Sequence, residues 1–300
     1  MITLTAGAAS VVLAPEAGGA IAGWTVGAWP ILRPPQARAL VDGNPRGLGA
    51  FPLVPFSNRI AGAGFAFAGR SWQLARNFGD SPHAIHGVGW QRAWEIDAIG
   101  QATARLGLRH RPEGGAAPAW PFAFDAAQRF VLAPDRLTVG MRLVNRHDGP
   151  APAGLGLHPY FPRTPGATLR FAAAGVWRNT PAMLPEAHGP VPPDWDHRTP
   201  RRVGSAVLDN SFDGWDGRAE IALAPGPVTI AIEAGPIFRH LVVFTPPGAD
   251  FFCVEPVSHL TDALNRPEQP GTGLVVLPPG GVLEGEIVFR LDGVTERPGW

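Results

Sequence analysis

Polar and apolar residues alternate along several short stretches of the chain. Arg136 to Val144 reads Arg-Leu-Thr-Val-Gly-Met-Arg-Leu-Val, and Thr103 to Arg109 and Glu284 to Leu291 follow the same two-residue period. That period places alternate side chains on opposite faces of an extended strand, one face apolar and one wet. Val228 to Glu233 and His240 to Phe244 are further strands, the latter more continuously apolar and therefore expected to be covered on both faces. With 38 glycines and 34 prolines among 300 residues, little uninterrupted chain remains for helices of ordinary length. Many short strands separated by turn signals predict an all-β architecture, a sandwich or a barrel. Residues 181–200, rich in Pro, Asp and His, read as a long surface loop rather than a linker, because strand-like segments of similar character flank it. The expectation is one domain across residues 1–300. Exposed strand edges allow a homodimer as well as a monomer, and no residue decides between them.

Polar residues interrupt the apolar runs in a few places, and these are the candidates for chemistry. In Phe251-Phe252-Cys253-Val254-Glu255-Pro256-Val257 a lone carboxylate stands in a run that strand logic buries. Such a group must be paired, hydrogen-bonded or used. Burial raises a carboxyl pKa and makes Glu255 a better general base near neutrality, while an ion pair with an arginine explains it equally well. In Gly154-Leu155-Gly156-Leu157-His158-Pro159-Tyr160-Phe161 the proline holds His158 extended, so His158 and Tyr160 share a face. A satisfied core histidine is the plain alternative to a proton donor. Asn58 and Arg59 end the run Phe51 to Phe56 with a cluster of donors suited to hydroxyls, or with an arginine that caps a turn. His83 and His86 in His83-Ala84-Ile85-His86-Gly87 are three apart, which on a strand sends them to opposite faces and argues against a metal. Gly87 lets a ligand approach the backbone. Lastly, Asp209-Asn210-Ser211-Phe212-Asp213-Gly214-Trp215-Asp216 sets an apparently exposed indole among acids, a combination common in sugar sites and in ordinary turns alike. The choice among Asp209, Asp213 and Asp216 stays open.

Composition narrows the chemistry. The formal charge is zero and the sequence pI about 7.2, which removes the electrostatic case for nucleic acid or an anionic membrane and favours a neutral substrate. All 25 basic residues are arginine. Without lysine there is no Schiff base, no pyridoxal phosphate attachment and no P-loop lysine. A single cysteine, Cys253, permits neither an intrachain disulfide nor a cysteine-based zinc site, and its apolar neighbours predict a buried thiol. The first residues lack the basic start and apolar stretch of a signal peptide, and no apolar run reaches the length of a membrane span. The expected compartment is the cytoplasm.

Taken in order, these segments resemble the aldose 1-epimerase (galactose mutarotase) family from about Gly18 to about Leu291. The resemblance rests on Asn58-Arg59-Ile60, His86-Gly87, His158-x-Tyr160-Phe161, Asp209-x-x-Phe212 and Glu255. It implies a large antiparallel β-sandwich with an open carbohydrate cleft and interconversion of the α and β anomers of a free monosaccharide. Glu255 would take the proton of the anomeric hydroxyl and His158 would protonate the ring oxygen. Arg59, His86 and Asp209 would hold hydroxyls, with Asn58 and Tyr160 as lesser contributors. This acid–base chemistry uses no metal and no organic cofactor. Reference pKa values of ~4.3 and ~6.5 for the two groups predict a bell-shaped pH profile. The longer galactose mutarotases carry a glutamine shortly before the glutamate strand, whereas His240 to Thr245 contains none. Two other readings remain. An epimerase for a hexose 6-phosphate would need an arginine cluster, for which Arg70, Arg76 and Arg92 lie in the right part of the chain. A non-catalytic sugar binder would have no use for a matched acid and base. Glycoside hydrolysis would require paired carboxylates, and no second partner for Glu255 stands out in the sequence.

Overall fold

In the computed structural model, which describes residues 1–114, 118–224, 226 and 228–293, the alternating segments form strands close to where the pattern puts them. They run Thr103–His110, Arg136–Asn145, Val228–Ala234, His240–Phe244 and Val282–Asp292. Two large sheets account for most of the strands, and every pairing within them is antiparallel. The 11-stranded sheet has at its middle the neighbours Ala50–Leu53, Gly156–Pro162, Phe251–Val257, His240–Phe244 and Asp209–Asp213. The 9-stranded sheet is centred on Arg136–Asn145 and Val282–Asp292. Their facing sides interlock: Trp24 meets Phe289 edge-on at 6.1 Å between ring centroids, and Phe161 of the first sheet lies 6.4 Å from the same ring. No helix among the described residues is long and apolar enough to cross a membrane.

The larger sheet is apolar on both faces, which explains why its central strands lack clean alternation. In Phe251–Val257, Phe252 and Val254 enter the core between the sheets, while Cys253 and Val257 join a second apolar cluster on the other face with Phe51, Leu53, Ile85, Trp90, Tyr160 and Val242. That second cluster is the floor of the candidate site. Residues 181–200 are not wholly loop. Pro185–Gly189 pairs with Gly175–Asn179 as the outermost strand of the larger sheet, and a short 3-10 turn follows at Pro193–Trp195. An edge strand with one paired side needs little apolar patterning, so the prolines and acids concealed it.

Candidate active site

The register of the larger sheet sets the site. His158 stands opposite Phe51 on one neighbour, and the same antiparallel pairing brings it beside Glu255 on the other. The His158 Nε2 and Glu255 Oε1 atoms are 3.3 Å apart, and both side chains are buried. One residue pair further along, Tyr160 stands opposite Cys253, Cys253 opposite Phe244, and Phe244 opposite Asp209. Rings stack along the floor. Phe51 lies 4.6 Å from His158 and His158 4.7 Å from Tyr160, each nearly parallel, and the Arg33 guanidinium covers the far side of Tyr160 at 4.1 Å. Because His158 and Tyr160 are two apart on one strand, the stack is a direct consequence of the two-residue period.

Arg59 and His86 reach the site from a small two-stranded sheet in which Arg59 pairs with Ile85. Asn58 and His86 both have positive φ, 56° and 60°, a conformation that costs energy outside glycine. They hold one another there. The Asn58 N–H donates to His86 Nδ1 at 3.0 Å, and the His86 N–H donates to the Asn58 carbonyl at 2.9 Å. Since Nδ1 accepts, a neutral His86 carries its proton on Nε2. Asn58 Oδ1 also accepts from Arg59 Nη1 at 3.0 Å, which orients the guanidinium. These groups converge on a cleft of about 420 Å³, within the size range of small-molecule sites. Asn58, Arg59, His86, His158, Tyr160, Asp209 and Glu255 all line it, so every residue to which the resemblance gives a role meets in one place. His83 does not. Its Nδ1 accepts from the Gly62 N–H.

Burial governs the electrostatics. It pushes Glu255 well above the usual carboxylate range, with Asp209 adding to the rise and Arg59 opposing it. It pulls His158 down to about 3 and His86 well below an ordinary imidazole. Asp209 is raised by burial and held back by Arg59. The order of the Glu255 and His158 pKa values is therefore the reverse of that expected from reference values. A neutral His86 is a hydrogen-bond donor to the cleft, and the Asp209 carboxylate is free of hydrogen bonds among the described residues. Asp209 also supplies the second carboxylate near Glu255 that the sequence did not reveal. The ligating atoms of His158, Cys253 and Glu255 lie within 4.8 Å of one another, close enough for one metal ion. Burial raises the Cys253 thiol well above its normal value, and this opposes the thiolate that a metal would require.

Several expectations need correction. Trp215 is buried, not exposed, and its Nε1 donates to the Arg218 carbonyl at 2.7 Å. Asp213 accepts from His188 at 2.8 Å and from Trp177 Nε1 at 3.2 Å, and Asp216 caps the Arg218 N–H in a turn. Of the three aspartates only Asp209 reaches the cleft. Arg70, Arg76 and Arg92 line no part of it. Arg70 covers Trp72, and Arg92 bonds His110. The arginines present beside Arg59 are Arg33 and Arg46, together with Phe51, Phe78, Phe244 and Phe251 as apolar walls. Arg33 lies in an irregular segment and Arg46 in the short 3-10 turn Pro45–Gly47, where no periodicity marks them.

The family model described as aldose 1-epimerase matches residues 1–290. The chain belongs to the aldose 1-epimerase family. Within it, the chain is 31% identical over 285 residues to the uncharacterised protein YphB of Escherichia coli K12, spanning 92% of this chain and 94% of that one. A crystal structure of an E. coli K12 protein provisionally called an aldose 1-epimerase superposes with a TM-score of 0.88 at 30% identity, covering 97% of this chain and 98% of that chain. A galactose mutarotase-like protein of Clostridium acetobutylicum has the same fold, with a TM-score of 0.86 at 18% identity over 97% and 95% of the two chains. The all-β, mutarotase-like architecture expected from the sequence is thus the one observed.

Proposed function

We propose that this aldose 1-epimerase family member, acting as a single unit, interconverts the α and β anomers of an aldose, with Glu255 and His158 moving the protons. The observation that carries the reading is their 3.3 Å contact on the floor of a cleft lined by hydroxyl-binding groups. Burial disfavours charge on either group, so the pair holds one proton over a wide pH range. With the sugar ring closed, the competent form is carboxylate plus imidazolium. Glu255 takes the proton of the C1 hydroxyl, His158 gives its proton to the ring oxygen, and the C1–O5 bond breaks to leave the aldehyde. The pair is then a neutral carboxylic acid and a neutral imidazole, the form that burial favours. Rotation about C1–C2 turns the other face of the carbonyl toward O5. His158 then takes the proton of the C5 hydroxyl as O5 attacks C1, Glu255 returns its proton to O1, and the opposite anomer forms. Arg59, the Nε2–H of His86 and the Asp209 carboxylate orient the remaining hydroxyls, while Asn58 aligns Arg59 and Tyr160 supports the His158 ring.

The test is polarimetry on freshly dissolved α-D-glucose, α-D-galactose and α-D-glucose 6-phosphate, with and without catalytic amounts of protein. Faster relaxation that disappears in Glu255→Gln supports the reading. A positioned proton donor or acceptor contributes about 10²–10⁴-fold, so Glu255→Gln and His158→Asn should each lose at least ~10² in kcat while calorimetry still detects sugar binding. Arg59→Ala should weaken both binding and turnover. Sugar binding without any acceleration would instead mark a non-catalytic binder.

A further inference from the structure

Arg59 belongs to a strand of only two residues, Arg59–Ile60, paired along one edge with Ala84–Ile85. A two-stranded sheet that small is marginal on its own. Its other edge faces the loop that follows the Glu255 strand, and there one residue takes the place of a third strand. The Asp262 N–H donates to the Arg59 carbonyl at 2.9 Å, and Asp262 Oδ1 accepts from the Ala61 N–H at 2.9 Å. In an antiparallel neighbour both groups would come from the backbone, whereas here a carboxylate oxygen replaces the carbonyl. Asp262 makes both bonds from a left-handed backbone, φ 59°, a conformation that aspartate tolerates better than most side chains. Asn265 Nδ2 fixes the same Oδ1 at 2.8 Å and also donates to the Gly64 carbonyl at 3.0 Å. Three residues before Asp262, His259 holds the other flank of Asn58. Its Nδ1–H donates to the Leu260 carbonyl at 2.8 Å, which leaves Nε2 to accept from the Ser57 N–H at 3.1 Å. Burial lowers His259 to about 4, so this acceptor persists through neutral pH.

The loop is itself anchored at both ends. Where it leaves the Glu255 strand, the Ser258 N–H donates to the Leu155 carbonyl at 2.8 Å and the Leu155 N–H donates back to Ser258 Oγ at 2.9 Å. Leu155 lies three residues before His158. Further on, Leu260 and Ala263 pack against Trp177, and Arg266 donates to the Pro185 carbonyl of the outermost strand. Among the described residues, none between 258 and 266 lines the cleft, so any influence on a bound sugar must pass through the segments they hold. We propose that Asp262 and His259 are positioning residues, which fasten Ser57 to Ala61 onto the loop leaving the Glu255 strand and so set the Arg59 guanidinium at a fixed place relative to Glu255 and His158. The inference rests on the mutarotase reading for the roles of those three residues. Displacing a substrate-holding group by about 1 Å is enough to cost turnover, and a two-residue strand has no other means of resisting such a shift on this edge.

The experiment is a double-mutant cycle on Asp262 and Arg59, read as KM and kcat by polarimetry on the sugar that the unmodified protein accelerates most. Asp262→Ala should raise KM about tenfold and lower kcat, the pattern expected of Arg59→Ala. A loss of folded protein alone would lower kcat and leave KM unchanged. In the Arg59→Ala background, Asp262→Ala should add less than about twofold to KM, because the group it positions is gone. Asp262→Asn keeps Oδ1 as an acceptor and should restore most of the KM. Effects that multiply across the cycle would overturn the inference and leave the mutarotase reading intact. So would an Asp262→Asn as defective as Asp262→Ala, since the charge facing Arg266 at 4.0 Å would then be what matters. If Asp262→Ala fails to fold, His259→Phe removes the Ser57 bond and carries the same cycle. If no sugar is accelerated, the mutarotase reading fails. Calorimetric Kd values for galactose over the same cycle then decide the inference: coupled losses uphold it, and multiplying losses or no binding overturn it.

Discussion

In the proposed cycle Glu255 and His158 work against their surroundings, since each would carry charge once at a depth where charge is disfavoured. A pair that keeps one proton between two widely separated titrations has a broad pH plateau. The second proton is added only as pH falls toward about 3, where His158 titrates. The single proton is lost only above the raised value of Glu255. We therefore expect kcat/KM to show no acid limb near the free-imidazole value of ~6.5 and to fall on the acid side only as pH drops toward about 3. An acid limb centred at pH 6.5 would mean that His158 is not the buried partner of Glu255. The sequence displayed both residues as polar interruptions in apolar strands. It could not display the order of their pKa values, because that order depends on burial by Phe51, Tyr160 and the neighbouring strand, all remote in sequence or set by register. Arg33 escaped for a related reason. Its backbone N–H donates to the Tyr160 carbonyl, a contact between segments more than a hundred residues apart, and only the following Pro34-Pro35 hints at a pinned backbone.

The strand Phe251–Val257 must satisfy two masters, a core on one face and a cleft on the other. Phe252 is fully buried between the sheets, and Phe252→Ala should cost ~3–5 kcal/mol in denaturant unfolding. Beside His86 the chain depends on one glycine. Gly87 has φ +70°, and a Cβ there would sit 2.2 Å from the Val54 carbonyl oxygen. Gly87→Ala should thus destabilise the protein by about 2 kcal/mol or more and depress turnover as His86 shifts. Normal activity and an unchanged midpoint would show that the loop relaxes freely. The strands of the 9-stranded sheet were legible because water on one face enforces alternation. The central strands of the larger sheet were legible only as apolar runs, because both faces are covered. Trp215 misled because its acid-rich turn reads as surface, whereas the indole folds back onto Arg218.

Across the whole molecule, His86, His110, His158, His197, His240 and His259 are all buried, and burial lowers the pKa of each. The folded state binds fewer protons than the unfolded chain below pH ~6.5, so acid favours unfolding. The penalty is absent above that pH and grows as pH falls toward the lowered values, about 3 for His158 and about 4 for His259. Glu255 and Asp209, both raised, oppose the trend in part, because each binds its proton in the folded state from its raised value down to its unfolded-state value near 4. Unfolding free energy should fall between pH 7 and 5.5, read as a falling urea midpoint, and a flat midpoint would contradict this. The stacked floor of the cleft has one more consequence. Tyr160 is the only tyrosine in the chain, and it lies between the His158 ring and the Arg33 guanidinium. Protein grown on ring-labelled tyrosine therefore yields an NMR spectrum of a single residue. Its chemical shift, set by the imidazole current on one side and the cation on the other, reports from inside the cleft without any engineered probe.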